Sequence, residues 1–174
     1  SGTSEYGTGP ERQRQRGTAA HNTVVVSEQD SSEVWAGFRV GRRARPFGVA
    51  VVHHDGALHA QCSHDGYRYM AGRPSVTRSV KLTDQQLTIF DRVSGRKPAE
   101  ARYHLHPSIR IHSTTDNGAL LEVPGGEHFK IEANGQPLRV DATTWHPEFG
   151  ISIPNSCLVL PLLDGQASLT VKRI

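Results

Sequence analysis

His21 lies at the entry to a predicted strand, where a rigid backbone can hold a side chain in position to act as a ligand. It belongs to the stretch RGTAAHNTVVV, residues 16–26, which joins an arginine-rich segment to a β-branched run at residues 23–26. That run predicts a buried strand. A histidine at the start of a strand serves either as a structural residue whose ring binds a backbone group or as a ligand aimed at a site. The local pattern favours the structural interpretation and leaves the other open.

Other histidines invite a similar question about metal binding. The chain has ten, several of them in the stretches VVHHDG, CSHDG and YHLHPS. His104 and His106 are two residues apart on a predicted strand, so both rings face one side and can reach one ion. The apolar character of the opposite face favours a structural pair instead. His53, His54 and His64 flank turns, where histidine and aspartate commonly bind the backbone. With no nucleophile elbow, phosphate loop or CxxC motif, the residues alone define no complete active site.

Arginines are concentrated in the first quarter of the chain, although the formal net charge is only +3 and the pI about 9.1. Their forked guanidinium groups match carboxylate and sulfate groups well, so they favour an acidic partner such as a polyanionic sugar or a nucleic acid. For any single arginine a solvated basic face is the simpler interpretation. The cluster comprises Arg12, Arg14, Arg16, Arg39, Arg42, Arg43 and Arg45.

The two cysteines predict no metal site, because Cys62 and Cys157 are far apart in sequence. Cys157 lies in the apolar stretch PNSCLVLPL and is predicted to be a small buried hydrophobe. Two cysteines leave open whether a disulfide forms in an oxidising compartment.

Short alternating segments and turn pairs dominate the rest of the chain. In SIRIHST, for example, Ile109 and Ile111 share one face. The dipeptides Asp-Gly and Asn-Gly recur between such segments in HDG, DNG, ANGQP and LDGQ, and they supply the positive φ angles of tight hairpins. Strands spaced by about 8–12 residues predict an all-β fold of stacked antiparallel sheets, a sandwich or barrel with little helix. Only SEQDSSEVW suggests a helical turn.

Length and composition predict a single domain over residues 1–174, with residues 1–20 as a loop-rich lead-in. A chain of 174 residues with 36% hydrophobic residues can bury a modest core. No apolar run approaches the roughly 20 residues of a membrane span, so we expect no span. The start SGTSEYGTGP lacks the basic and apolar regions of a signal peptide.

Taken together, several long stretches resemble one family. GTSEYGTGPERQRQRGTAAHNTVVV and SSEVWAGFRVGRRARP, followed by HDGYRY, YHLHPSIRI and EFGISIPNSCLVLPL, resemble the C-terminal portion of the heparinase II/III-like polysaccharide lyases. The most specific elements are RGTAAHNTVVV and YHLHPS. The resemblance spans nearly the whole chain.

The resemblance implies a function that the residues alone do not. Such lyases cleave a uronate glycosidic bond by β-elimination in a cleft between an N-terminal helical toroid and C-terminal antiparallel sheets. A tyrosine and a histidine handle the protons, a toroid residue meets the substrate carboxylate, and zinc is bound nearby by histidines and an aspartate. By resemblance, His21 is a zinc ligand, and Tyr6, Arg14 and Arg16 face an anionic polysaccharide. The implied partner is the toroid domain rather than a nucleic acid, and the implied compartment is the periplasm.

The sequence also departs from the family pattern. The HxHxD segment with the catalytic histidine is absent, and the zinc-binding aspartate is expected before residue 1. Ser27 stands where relatives often have an Asp-Gly turn. We therefore expect the C-terminal part of a longer enzyme, with zinc bound only in the longer protein and no lyase activity in this chain alone. The alternative is a non-catalytic β-sandwich that binds carbohydrate or docks a partner.

Overall fold

Antiparallel strands make up most of the computed structural model, which describes residues 2–174; the prediction of an all-β fold is confirmed. One short α-helix and one 3-10 helix precede the first strand. The elements are α1 (Pro10–Arg16), the 3-10 helix (Thr18–Ala20), β1 (Val24–Val26), β2 (Val34–Trp35), β3 (Arg39–Val40), β4 (Pro46–His54), β5 (Ala57–His64), β6 (Val76–Leu82), β7 (Gln86–Val93), β8 (Ala99–His104), β9 (Arg110–Thr115), β10 (Gly118–Glu122), β11 (His128–Glu132), β12 (Arg139–Trp145), β13 (Ile153–Pro161) and β14 (Gln166–Arg173).

Two large sheets contain nearly all of these strands. The smaller has the order β1-β8-β13-β12, and the larger has the order β4-β5-β6-β7-β14-β11-β10-β9. Strands β2 and β3 form a separate two-stranded hairpin. All pairings are antiparallel, as expected when tight turns connect neighbouring strands.

One hydrophobic core joins the two large sheets face to face. It combines Val24 of β1 and Leu160 of β13 with Ile131 of β11 and Leu169 of β14, each at most 2% exposed. Burying each of these large apolar side chains contributes roughly 1.5–3 kcal/mol relative to an exposed one. The smaller sheet covers only part of the larger one, and every residue of β4 remains exposed.

Tight turns of the predicted kind connect several of the strands. Asp55 and Gly56 both have positive φ between β4 and β5, as a two-residue primed turn requires. The second HDG stretch differs, because Gly66 has no positive φ and ends no hairpin. There the glycine is needed for space, since a Cβ would lie 2.7 Å from Ser31.

The lead-in is more ordered than a loop-rich segment. Helix α1 has Pro10 in its first turn, Glu11 near its positive end and Arg14 and Arg16 near its negative end, all favourable placements. Although residues typical of helix ends are present, the helix has only seven residues, too few to show the periodic apolar pattern that predicts a helix. The helical turn predicted in SEQDSSEVW is wrong: those residues form a turn, a bend and strand β2.

Within residues 2–174, no helix has both the length and the apolar character required to cross a membrane.

Candidate functional site at the start of strand β1

The backbone around His21 is held on both sides by hydrogen bonds. The His21 amide donates to the Thr18 carbonyl at 3.1 Å, and the His21 carbonyl accepts from the Thr23 amide at 2.9 Å. Thr18 is itself anchored, because its amide donates to Asp30 Oδ1 at 2.6 Å. The chain therefore presents the exposed His21 from a fixed position rather than from a free loop.

Asn22 and His104 connect this segment to strand β8. The His104 amide donates to Asn22 Oδ1 at 2.7 Å, and His104 Nε2 lies 3.0 Å from the Ala19 carbonyl oxygen. A carbonyl oxygen only accepts, so this contact places a proton on Nε2 of His104. The tripeptide Ala19–His21 is thus tied to the neighbouring strand immediately beside the predicted ligand.

The surroundings lower the pKa of both imidazoles. Desolvation lowers the pKa of His21 below its ordinary value. Desolvation also lowers the pKa of His104, and the neighbouring His21 adds to that effect. A neutral imidazole is the form that binds a metal ion, so a lowered pKa is compatible with the role that the sequence predicts for His21.

A buried network of ionic and polar side chains is hydrogen-bonded to the same segment. Arg78 forms a bidentate pair with the fully buried Asp91, with Nε–Oδ1 and Nη2–Oδ2 distances of 2.7 and 2.8 Å. The Tyr103 hydroxyl donates to Asp91 Oδ2 at 2.5 Å. Arg78 Nη1 then donates to the Asn22 carbonyl at 2.8 Å, which links the network to the residue after His21.

Sequence reasoning missed this network, although a signal was present. Asp91 alternates with Leu87 and Ile89 on one face of QQLTIFDRV, so a carboxylate stood on an apolar face. A charge in that position requires a buried cation as its partner. The pattern did not reveal that the partner is Arg78 on the preceding strand. Burial, followed by the adjacent Asp91 charge, raises the pKa of Tyr103 well above its usual range, so this residue is a hydrogen-bond donor here.

Tyr6 lies in a group of three exposed aromatic rings, which we call the aromatic cluster. Its ring centroid is 5.4 Å from that of Phe38 and 4.8 Å from that of Phe149. The three residues are 61%, 69% and 63% exposed, respectively. Arg12, only 6% exposed, packs its guanidinium under the Tyr6 and Phe38 rings and donates to the Gly37 carbonyl. Exposed clusters of this kind mark interaction surfaces.

Arg14 and Arg16 are used mainly within the domain. Arg14 forms a bidentate pair with Glu11 and reaches Thr144 Oγ1 at 2.5 Å, which joins α1 to β12. Arg16 donates to the carbonyls of residues 35, 36 and 39 and so fixes the β2–β3 hairpin. An arginine has five N–H donors, so each retains donors for a further partner.

His104 and His106 have separate partners rather than a shared site. Strand β8 ends at His104, so His106 lies beyond it, with Nδ1 2.6 Å from Ser108 Oγ and its ring 4.9 Å from that of Trp145. The structural interpretation of this pair matches these contacts.

Cys62 and Cys157 are both free, and burial raises the pKa of the Cys157 thiol to about 11.

The exposed imidazole of His21 is of a type that can bind zinc, but no ligand group in the described part of the chain includes it. In residues 2–174, three candidate ligands converge at a single place, which does not include His21. A tetrahedral zinc site takes three or four protein ligands. The role of His21 as a zinc ligand therefore stays a prediction.

Comparisons with known proteins place the chain in a family. The family model "Heparinase II/III-like, C-terminal" matches residues 1–164. A mutant of the heparan sulfate lyase HepC from Pedobacter heparinus matches with a TM-score of 0.72 and 15% identity over 99% of this chain. The heparinase III BT4657 gene product, with methylated lysines, matches with a TM-score of 0.74 and 17% identity over 100% of it.

The chain spans only about a quarter of those two structures, 27% of each. A search of curated protein sequences finds no match. At such low identity the structural likeness shows the fold, a β-sandwich of the heparinase C-terminal type. The match of the family model over most of the chain shows the family itself: the chain belongs to the heparinase II/III-like C-terminal family.

Proposed function

We propose that this chain is the sheet domain of a polysaccharide lyase that cleaves a uronate-containing anionic glycan by β-elimination. The observation that carries the proposal is the family match over residues 1–164. The domain supplies one wall of the substrate cleft and one zinc ligand, His21. An N-terminal helical toroid supplies the opposite wall, and the protein works in the periplasm.

The chemistry assigns distinct tasks to the two walls. A base removes the proton from the carbon beside the uronate carboxylate, and positive charge or hydrogen-bond donors stabilise the resulting enolate-like state. These groups belong to the toroid side in this proposal. Zinc, when bound, supplies a fixed positive charge next to the cleft. His21 contributes an imidazole whose pKa is lowered by desolvation, on a backbone anchored by Thr18 and Thr23.

The aromatic cluster and the nearby arginines suit the substrate side of the domain. Tyr6 offers an exposed ring to a sugar face, and Arg14 and Arg16 keep donors that match carboxylate or sulfate groups. Their contacts within the domain hold these donors in place before a substrate arrives, which lowers the entropy cost of binding.

An exposed apolar surface supports the proposal of a further domain. Beyond the smaller sheet, the inner face of the larger sheet continues with Val51, Leu58 and Leu82, all exposed. Contiguous apolar surface of this kind is typical of interdomain contacts. The same surface also suits the alternative, a non-catalytic domain that binds carbohydrate or docks a partner.

The test replaces His21 with alanine in the chain joined to its N-terminal domain. We expect zinc content and β-elimination to fall together, with circular dichroism and thermal stability unchanged, because the ring is exposed. His54→Ala, at an exposed turn of the same domain, is the matched control and should retain both zinc and activity. Loss of folding without loss of zinc would establish His21 as a structural residue. Full activity of the His21→Ala protein would refute the ligand role.

A further inference from the structure

A second group of potential metal ligands lies on the larger sheet, away from His21. It consists of His112 of β9, Glu122 of β10 and His128 of β11, three strands adjacent in the order of the sheet. Glu122 and His128 are direct cross-strand partners in the β10–β11 register. Directly paired side chains project from the same face of a sheet.

An irregularity in β9 brings the third residue to that face. Leu121 pairs with Ile111, whereas Leu120 pairs with Ser113, so His112 is the extra residue between them. A bulge of this kind redirects a side chain from the strict alternation. The inner face of the same strands carries Leu121 and Ile131, which belong to the core. The three polar residues therefore lie on the outer, solvent-facing side of the sandwich.

The geometry of these side chains suits a single ion. One ligand atom from each residue lies within 4.8 Å of the other two. The rings of His112 and His128 meet edge to face, with centroids 6.0 Å apart. Small side-chain rotations bring such atoms to the roughly 2.0–2.2 Å metal–ligand distances of a zinc site.

We propose that His112, Glu122 and His128 bind a divalent transition-metal ion of the zinc class. Two imidazoles and one carboxylate match the ligand preferences of Zn²⁺, Co²⁺ and Ni²⁺, whereas Ca²⁺ and Mg²⁺ prefer all-oxygen sites. Three protein ligands leave a fourth position for water or an outside group. This site is independent of the proposed function and of His21, which lies before β1 of the other sheet.

Neighbouring cations do not prevent binding. Arg110 lies 3.8 Å from Glu122, but its side chain is 77% exposed, and an ion pair of this kind contributes at most about 1 kcal/mol. Lys130, next along the same face, is paired with Glu132 at 2.9 Å rather than with Glu122. Among the described residues, the weak contact with Arg110 is the one ion pair of Glu122 that a metal ion has to displace.

The experiment titrates the metal-free 174-residue chain with Co²⁺ and follows the visible absorption of the bound ion. Competition with Zn²⁺ measures zinc binding at the same site, and calorimetry measures the stoichiometry. We expect one ion per chain. Each of His112→Ala, Glu122→Gln and His128→Ala should weaken binding by at least about tenfold, since even supporting residues of metal sites contribute 10–100-fold. Arg110→Gln should tighten it.

A control variant separates this site from a histidine elsewhere in the chain. His54→Ala should bind Co²⁺ as the unchanged chain does, because His54 does not belong to the cluster. Circular dichroism verifies that each variant is folded, which is expected for outward-facing side chains. Absence of binding by the unchanged chain, unaltered affinity in all three ligand variants, or loss of binding in His54→Ala would each overturn the proposal. None of these outcomes bears on lyase activity.

Discussion

At the scale of single residues, the buried pair of Asp91 and Arg78 controls the local structure around His21. Asp91 is fully buried and accepts hydrogen bonds from Arg78 and Tyr103. Through Arg78 the pair reaches the Asn22 carbonyl, so a charge in the core positions the segment that carries the candidate ligand. A buried ion pair adds little net stability, but removal of one partner alone is strongly destabilising because the other charge is left buried and unpaired.

We predict that Asp91→Ala destabilises the domain by about 3–5 kcal/mol, because the Arg78 cation is left unpaired in a largely buried position. Urea denaturation followed by circular dichroism measures this change. Asp84→Ala, at an exposed turn, is the matched control and should alter the free energy of unfolding by less than about 0.5 kcal/mol. Equal effects of the two substitutions would contradict a structural role for the buried pair.

At the scale of elements, the turn after β1 places two residues other than glycine in the left-handed region. Ser27 and Glu28 have φ angles of 50° and 58°, and the Gln29 amide donates to the Val26 carbonyl at 3.0 Å. The two residues thus form the kind of tight turn that Asp-Gly forms elsewhere, with side chains that disfavour positive φ. Asp55 and Gly56, between β4 and β5, have similar φ angles of 50° and 69°.

We predict that Glu28→Gly stabilises the domain by roughly 0.5–1 kcal/mol, because relief of about 1–2 kcal/mol of left-handed strain exceeds the added entropy of the unfolded chain. Thermal and urea unfolding measure the change. Glu28→Ala removes the same carboxylate but keeps the Cβ, so it should give no comparable gain. A gain equal to that of glycine would attribute the effect to charge instead.

Helix α1 provides a second prediction at this scale, concerning pH. Hydrogen bonds from Arg14 and Gln15 lower the pKa of Glu11 from 4.5 to about 2. The folded state therefore binds the proton less readily than the unfolded state. The stability that Glu11 contributes is fully present above about pH 4.5 and is lost as pH falls toward 2.

Nuclear magnetic resonance can follow this loss through hydrogen exchange of the Gly17 amide, which closes the helix onto Gln13 and Arg14. We expect its protection to decline between about pH 4.5 and 2 in the unchanged chain. In Glu11→Gln, protection at neutral pH should be lower and should vary less over this range. Identical profiles for the two proteins would exclude Glu11 as the acid-sensitive group.

At the scale of the whole molecule, the two sheets differ in extent. The smaller sheet covers β7, β14, β11 and β10 of the larger, while the hairpin of β4 and β5 extends beyond the core. This uneven coverage leaves apolar residues at the surface, and the structural relatives are several times longer than the chain. Under the proposed function, the catalytic cleft forms only when the other domain is present.

We therefore predict that the purified chain alone produces no unsaturated uronate from heparin-like, alginate-like or exopolysaccharide substrates. The base and the groups that neutralise the carboxylate lie outside it in our proposal. Ultraviolet absorbance of the elimination product provides the assay, and the chain joined to its N-terminal domain is the positive control. Product formation by the chain alone would place a complete active site within these 174 residues.

Local sequence patterns were enough to predict most strands, several tight turns and the all-β class of fold. Alternation of polar and apolar residues with period two depends only on local geometry, so stretches such as SIRIHST predict strands wherever they occur. The exposed position of His21 before a buried strand followed from the boundary between polar and β-branched residues. Helix α1 escaped detection because seven residues are too few to show a helical period.

Contacts between residues on different strands could not be predicted from these local patterns. Arg78 and Asp91 are 13 residues apart, and Asn22 and His104 are 82 apart; each contact depends on strand pairing that no local pattern specifies. The group of His112, Glu122 and His128 depends further on a bulge in β9. Alternation assigns a side chain to a face, but the partner on that face is set by register, which results from packing of the whole core.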